Sequence, residues 1–92
     1  MDWRRLIRDY PYVAQLMKAY MFINSMRGQS LGLTKSIRAV DGVLSADAIT
    51  GDYDIVASVE VKDLADLRTV MAGVQGLDGI LKTTTCMVLS ES

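Results

Sequence analysis

The sequence contains no histidine and a single cysteine, Cys86. Histidine is the side chain that most often transfers protons near neutral pH and that most often binds metals in proteins. With no cluster of histidines and cysteines at metal-ligand spacing, we predict no metal site and no cofactor. One cysteine cannot form an intrachain disulfide, and chains without disulfides are typical of reducing compartments, so we expect a cytoplasmic protein.

Long apolar runs and an excess of positive charge are also absent. No apolar run approaches the roughly 20 residues that cross a bilayer, and no continuous apolar signal core follows the N-terminus. The formal net charge is -1, whereas nucleic-acid-binding domains carry a basic surface. We therefore expect neither a membrane partner nor direct contact with nucleic acid.

Apolar residues, by contrast, are abundant. They make up 50% of the 92 residues, which is high for one small domain that buries only a modest share of its surface. This excess predicts apolar surface that a partner chain covers.

The chain contains an internal repeat. "IRAVDGVL" at residues 37–44 aligns with "VQGLDGIL" at residues 74–81, at an offset of 37 positions. Asp-Gly is a common turn pair, so chance is one explanation. The flanking apolar positions match as well, which favours a strand–helix–turn–strand unit that occurs twice.

Periodicity and turn residues predict the order βαββαβ. The predicted strands are residues 19–26, 43–50, 53–61 and 80–89, with one helix after the first and another after the third. Ser30 and Asp63 are the predicted N-caps of the helices, and Gly51-Asp52 is the predicted two-residue hairpin turn. The fold class is α+β, a ferredoxin-like sandwich with a four-stranded antiparallel sheet.

Both faces of the predicted sheet carry apolar residues. On the third strand, Ile55, Ala57 and Val59 alternate with Val56 and Ser58. Two helices cover only one face of such a sheet, and an exposed face normally alternates to polar residues. We therefore predict a homodimer that forms through the helix-free face.

Three stretches resemble the effector-binding domain of the Lrp/AsnC family, also called the RAM domain. They are "AYMFIN" at 19–24, "AVDGVLSADAITGDYDIVASVEVKD" at 39–63 and "GLDGILKTTTCMVL" at 76–89. The family pattern combines an Asp-Gly-Val turn, a Thr-Gly-x-Tyr-Asp segment and a closing Thr-x-Thr strand. This chain has these features at residues 40–44, 50–54 and 83–85.

The resemblance implies a function and a set of partners. Family domains dimerise through their sheets, and the dimers often form rings. Small effectors, usually amino acids, bind where dimers meet, near the loop between the second and third strands. Full-length members carry a helix-turn-helix in front, for which residues 1–18 are too few. The expectation is a stand-alone, non-enzymatic effector domain over residues 18–92, with a full-length Lrp/AsnC regulator as a candidate partner, that modulates transcription or amino-acid metabolism.

The resemblance also selects candidate effector-binding residues. The backbone of Gly51 and Asp52 offers hydrogen-bond donors, the carboxylate of Asp52 or Asp54 an acceptor for an ammonium group, and Tyr53 a pocket wall. Thr83 and Thr85 offer hydroxyls from the last strand. The competing interpretation is that these residues only make a turn and an edge strand.

Residues 1–17 are predicted to be an N-terminal extension. Trp3, Leu6, Ile7 and Tyr10 fall at helical spacing before Pro11, which indicates a short amphipathic helix. We expect it to pack on a neighbouring protomer.

Three other functions fit the same strand order. An RNA-recognition module requires stacking aromatics and basic flanks that this chain lacks. A small dimeric ferredoxin-like enzyme, such as a cofactor-free monooxygenase, would rely on Asp52, Asp54 or Tyr53 for acid–base work. An ACT-like amino-acid sensor is similar in fold and function. Binding of an amino acid without turnover separates a sensor from an enzyme.

Overall fold

The structure is a computed structural model and describes residues 16–89. Its elements are β1 (Met17–Ser25), α1 (Ser30–Arg38), β2 (Val43–Ala48), β3 (Ile55–Val61), α2 (Leu64–Gln75) and β4 (Ile80–Met87). This order confirms the predicted βαββαβ arrangement. Nearly all of the extension predicted over residues 1–17 lies outside the described residues.

The four strands form one antiparallel sheet in the order β2-β3-β1-β4. The two more apolar strands, β1 and β3, lie in the middle, which confirms the ferredoxin-like topology. Met21 pairs with Ala57 and Ile23 with Ile55, so that the buried residues of both strands point to the same side. Edge positions fall to the two more polar strands, as expected of a sheet that must limit pairing with other chains.

The helices cover one face of this sheet. Apolar residues recur every second position on the strands and every third or fourth position on the helices, so both sets meet in one core. The buried apolar side chains are Ala19, Met21, Ile23, Leu33, Ile37, Ala46, Ile55, Ala57, Val59, Val61, Leu67, Val70 and Val74. Arg38 adds a polar tie, since its guanidinium donates to the Ala46 carbonyl at 2.8 Å and holds α1 over β2.

The two helices begin differently. Asp63 is the N-cap of α2 and its carboxylate accepts from the Asp66 N–H at 2.8 Å, as predicted. The predicted Ser30 cap of α1 is wrong, because Ser30 is already helical and Gln29 takes the cap position without a side-chain bond. The chain turns earlier than expected because Gly28 adopts a φ of 80° and the Gln29 N–H bonds the Met26 carbonyl.

The sequence repeat is also a repeat in local structure. The Val40 N–H donates to the Ile37 carbonyl at 3.0 Å, and 37 positions later the Leu77 N–H donates to the Val74 carbonyl at 3.1 Å. Both helices therefore end in the same turn before an edge strand.

Each of these turns is followed by a left-handed glycine and then by a bulge. Gly42 has a φ of 105° and Gly79 a φ of 94°. The strand pairing then shifts by one residue at Leu44 and again at Leu81. The flanking matches in the sequence therefore mark equivalent structure and are not a chance recurrence of a turn pair.

The helix-free face carries apolar residues at its centre and polar ones around them. Tyr20 and Phe22 of β1 and Val56 of β3 point to this side, opposite the buried Met21 and Ala57. Tyr20 is 39% exposed. Lys18 and Glu60 lie directly opposite each other at one end of the same face. We refer to this surface as the open face.

Gly79 provides a test of the turn geometry. A Cβ at this position would collide with the Gln29 Oε1 and lie 3.1 Å from the Leu33 Cδ1, and its φ of 94° disfavours other residues. We expect Gly79→Ala to lower the free energy of unfolding by about 1–2 kcal/mol or more in denaturant titrations.

Gly32→Ala is the matched control. Gly32 lies within α1 with open space around its Cα, so alanine should raise the free energy of unfolding by about 0.5–1 kcal/mol. Equal effects of the two substitutions would contradict this account of Gly79.

Candidate functional site

The segment between β2 and β3 is a six-residue loop, residues 49–54, and not the predicted two-residue turn. The Ile49 N–H donates to the Asp54 carbonyl at 2.9 Å, which leaves Thr50 to Tyr53 as the tip. Gly51, with a φ of 109°, is the residue of this loop in the left-handed region. A tight type I′ turn requires two such residues. In addition, the Asp54 N–H donates to the Ile23 carbonyl of β1. This N–H is therefore not available for a hydrogen bond to β2.

Two residues at the end of β1 hold this loop. The Asn24 side-chain amide donates to the Asp52 carbonyl at 2.9 Å. The buried Ser25 N–H donates to the Asp54 Oδ2 at 2.8 Å. Sequence reasoning missed both residues, although a pair of short polar side chains closing an apolar strand was a usable signal.

Asp54 and Asp52 have different surroundings. The half-buried Asp54 carboxylate is occupied by the β1 backbone, so it positions the loop. The Asp52 side chain is exposed and makes no hydrogen bond or ion pair with another residue in 16–89. Of the two predicted acceptors, Asp52 is the one available to a ligand.

Tyr53 connects the loop to the open face. Its ring packs against Phe22 with the ring centroids 5.2 Å apart and the planes tilted by 44°. The contact is therefore made within one protomer. It places an aromatic wall beside Asp52, at the margin of the apolar centre of the open face.

Thr83 and Thr85 lie on the other side of the sheet from this wall. They pair with Ile23 and Met21, so their side chains share the helix-covered face. The Thr83 hydroxyl accepts from the Gln75 side-chain amide of α2 at 2.9 Å. The structure thus brings Gly51, Asp52, Tyr53 and Asp54 together but places the two threonines behind the sheet. Thr84, opposite Phe22, is the threonine that shares the open face.

Residues 16–89 include no group of three or more histidine, cysteine, aspartate or glutamate side chains arranged to hold a metal ion. Neither helix in this range has the length and apolar character needed to cross a membrane.

The family follows from a match over most of the chain. Residues 18–92 match the Lrp/AsnC ligand binding domain. The chain belongs to this family, whose name describes a domain that binds ligands.

Solved structures share the fold. TTHA0845 from Thermus thermophilus superposes with a TM-score of 0.77 at 27% identity, over 83% of this chain and 96% of that one. AsnC from E. coli gives a TM-score of 0.76 at 22% identity, over 96% of this chain but 56% of AsnC. A transcriptional regulator from Neisseria meningitidis, solved as a complex with L-Met, gives 0.74 at 18% identity, over 98% of this chain and 64% of that one.

Curated relatives include enzymes that are much longer than this chain. Homocitrate synthase from Sulfolobus acidocaldarius is 32% identical over 59 residues, which are 64% of this chain. The aligned part is 13% of the synthase, so the chain spans only a small fraction of the curated relatives it matches.

The two carboxylates of the loop should differ in their effect on stability. Asp54→Ala leaves the buried Ser25 N–H without its acceptor, and we expect the free energy of unfolding to fall by about 1–3 kcal/mol. Asp52→Ala removes an exposed side chain and should change it by less than about 0.5 kcal/mol. Denaturant titration measures both, and an equal effect would show that Asp54 does not anchor the loop.

Proposed function

We propose that this chain is a ligand-sensing regulatory domain of the cytoplasm that binds an amino acid beside loop 49–54, and that it is not an enzyme. The observation that carries the proposal is the division of roles within the loop. Asn24 and Ser25 hold its backbone, while the Asp52 carboxylate stays exposed at the tip. A loop whose backbone is already held and whose carboxylate is exposed suits ligand binding. The entropic cost of ordering the loop on binding is then small.

The chemistry of the tip fits one end of an amino acid. An ammonium group requires an acceptor, which Asp52 supplies, and a charge-assisted hydrogen bond is stronger than a neutral one. Loop N–H groups around Gly51 are candidates for donors. Tyr53, braced by Phe22, offers an aromatic wall for the effector's side chain.

The proposed assembly is a homodimer formed through the open face. Tyr20, Phe22 and Val56 form its apolar centre and are only partly covered within one protomer. Apolar area removed from water contributes roughly 25 cal/mol per Å², and a second copy brings the same apolar centre to the contact. Loop 49–54 lies at the end of the sheet, so it remains at the margin of such a dimer. We place the effector where the margins of two dimers meet in a ring.

The relatives support a sensing role and suggest which processes the domain would regulate. Regulators such as AsnC and a long synthase both contain a stretch similar to this chain. The N. meningitidis regulator was solved with L-Met. We propose that the chain modulates transcription or amino-acid metabolism, with a full-length Lrp/AsnC regulator as a candidate partner.

Calorimetric titration with the twenty amino acids tests the sensing role. We expect one or a few to bind without turnover, and Asp52→Asn to weaken binding by about 10-fold, because the ammonium group loses a charged acceptor. Asp78→Asn is the matched control, since Asp78 is an exposed aspartate in the turn before β4. The proposal would be refuted if none of the twenty amino acids bound, or if both variants lost the same amount of affinity.

Analytical ultracentrifugation tests the open face. The wild-type chain should sediment as a dimer or larger at micromolar concentration. Tyr20→Asp, which places a charge at the apolar centre of that face, should shift it to the monomer. Leu31→Asp is the control, because Leu31 is 79% exposed on α1 at the opposite face. A wild-type monomer, or a Tyr20→Asp variant that remains folded by circular dichroism and dimeric, would exclude this interface.

A further inference from the structure

The pairing of β1 with β4 is interrupted at one place, beside the candidate site. Asn24 pairs with Lys82 but Ser25 pairs with Ile80, so Leu81 has no partner in the register and is 67% exposed. Bulges of this kind bend a strand and re-aim the neighbouring side chains, and they are over-represented next to functional sites. The side chain that follows the bulge is Lys82.

Lys82 lies next to the residue that holds the loop. Residues directly opposite each other in an antiparallel pair have Cβ atoms about 5 Å apart on the same face, and Lys82 is opposite Asn24. The Asn24 amide in turn bonds the Asp52 carbonyl at 2.9 Å. Asn24 therefore separates a lysine on one side from the loop tip on the other.

Both charged groups are available to a ligand. Lys82 and Asp52 are exposed, and neither side chain makes a hydrogen bond or ion pair with another residue in 16–89. The lysine ammonium sits on a flexible four-carbon stem, so it can reach across Asn24 toward the tip. A positive and a negative group on either side of one fixed amide are complementary to a zwitterion.

We propose that Lys82 binds the carboxylate of the effector while Asp52 binds its ammonium group. This inference rests on the proposed function and adds the cation that sequence reasoning left out of the site. It also states a requirement on the ligand, which is a free carboxylate next to the amino group.

Lys82 also has a simpler explanation. Lysines on edge strands discourage pairing with other chains, and β4 is an edge strand. That role predicts a change in aggregation when Lys82 is replaced, but no change in how the protein distinguishes one ligand from another. The two roles are therefore separated by ligand discrimination and not by stability.

The test compares an amino acid that binds with its α-carboxamide, in calorimetric titrations of the full chain. The wild-type protein should prefer the free acid by about 10-fold to 100-fold, because the carboxamide has no charge for Lys82 to bind. Lys82→Gln should lose most of that preference, whereas Lys82→Arg should keep most of it. Lys35→Gln removes another exposed lysine, which lies on α1, and should behave as wild type.

The outcomes distinguish this inference from the function it rests on. If no amino acid binds to the wild-type chain, the proposed function fails and the role of Lys82 fails with it. If an amino acid binds and Lys82→Gln still prefers the free acid by the wild-type ratio, the role of Lys82 alone is refuted. Loss of the preference in Lys35→Gln would equally overturn it, because the effect would then come from overall charge.

Discussion

Two hydrogen bonds at the end of β1 hold the loop between β2 and β3 in place. One joins the Asn24 amide to the Asp52 carbonyl, and the other joins the Ser25 N–H to the Asp54 carboxylate. Because β1 lies between β3 and β4 in the sheet, its end is a rigid reference for both neighbours. The backbone of the loop on one side and the backbone of Lys82 on the other are therefore both tied to the end of β1, and less ordering remains for a ligand that contacts both of them.

The two faces of the sheet have different roles. Alternation along β1 sends Met21 and Ile23 into the core beneath the helices and leaves Tyr20 and Phe22 on the open face. Phe22 supports Tyr53 as well, so the surface proposed for dimerisation is continuous with the wall of the candidate site. Assembly and ligand binding would then be linked, and any gain that one gives the other is reciprocal.

Local signals in the sequence predicted the fold better than the site. The alternation of Ile55, Ala57 and Val59, the Asp63 cap and the repeated Asp-Gly turns act over a few residues, and each was confirmed. The length of loop 49–54 was missed because it depends on a bond from Asp54 to distant Ile23. The side of the sheet on which Thr83 and Thr85 lie depends likewise on the register between β1 and β4. The composition of one strand does not specify that register.

The repeated unit has a consequence for how the chain folds. In the order β2-β3-β1-β4, the two strands of the first half are not neighbours, and neither are the two strands of the second half. Neither half can therefore form a sheet by itself, and every ladder joins residues from both. The duplicated halves are interleaved, so we expect neither half to fold without the other. Only the β2–β3 ladder joins strands that are close in sequence, and the two ladders of β1 must form between distant parts of the chain.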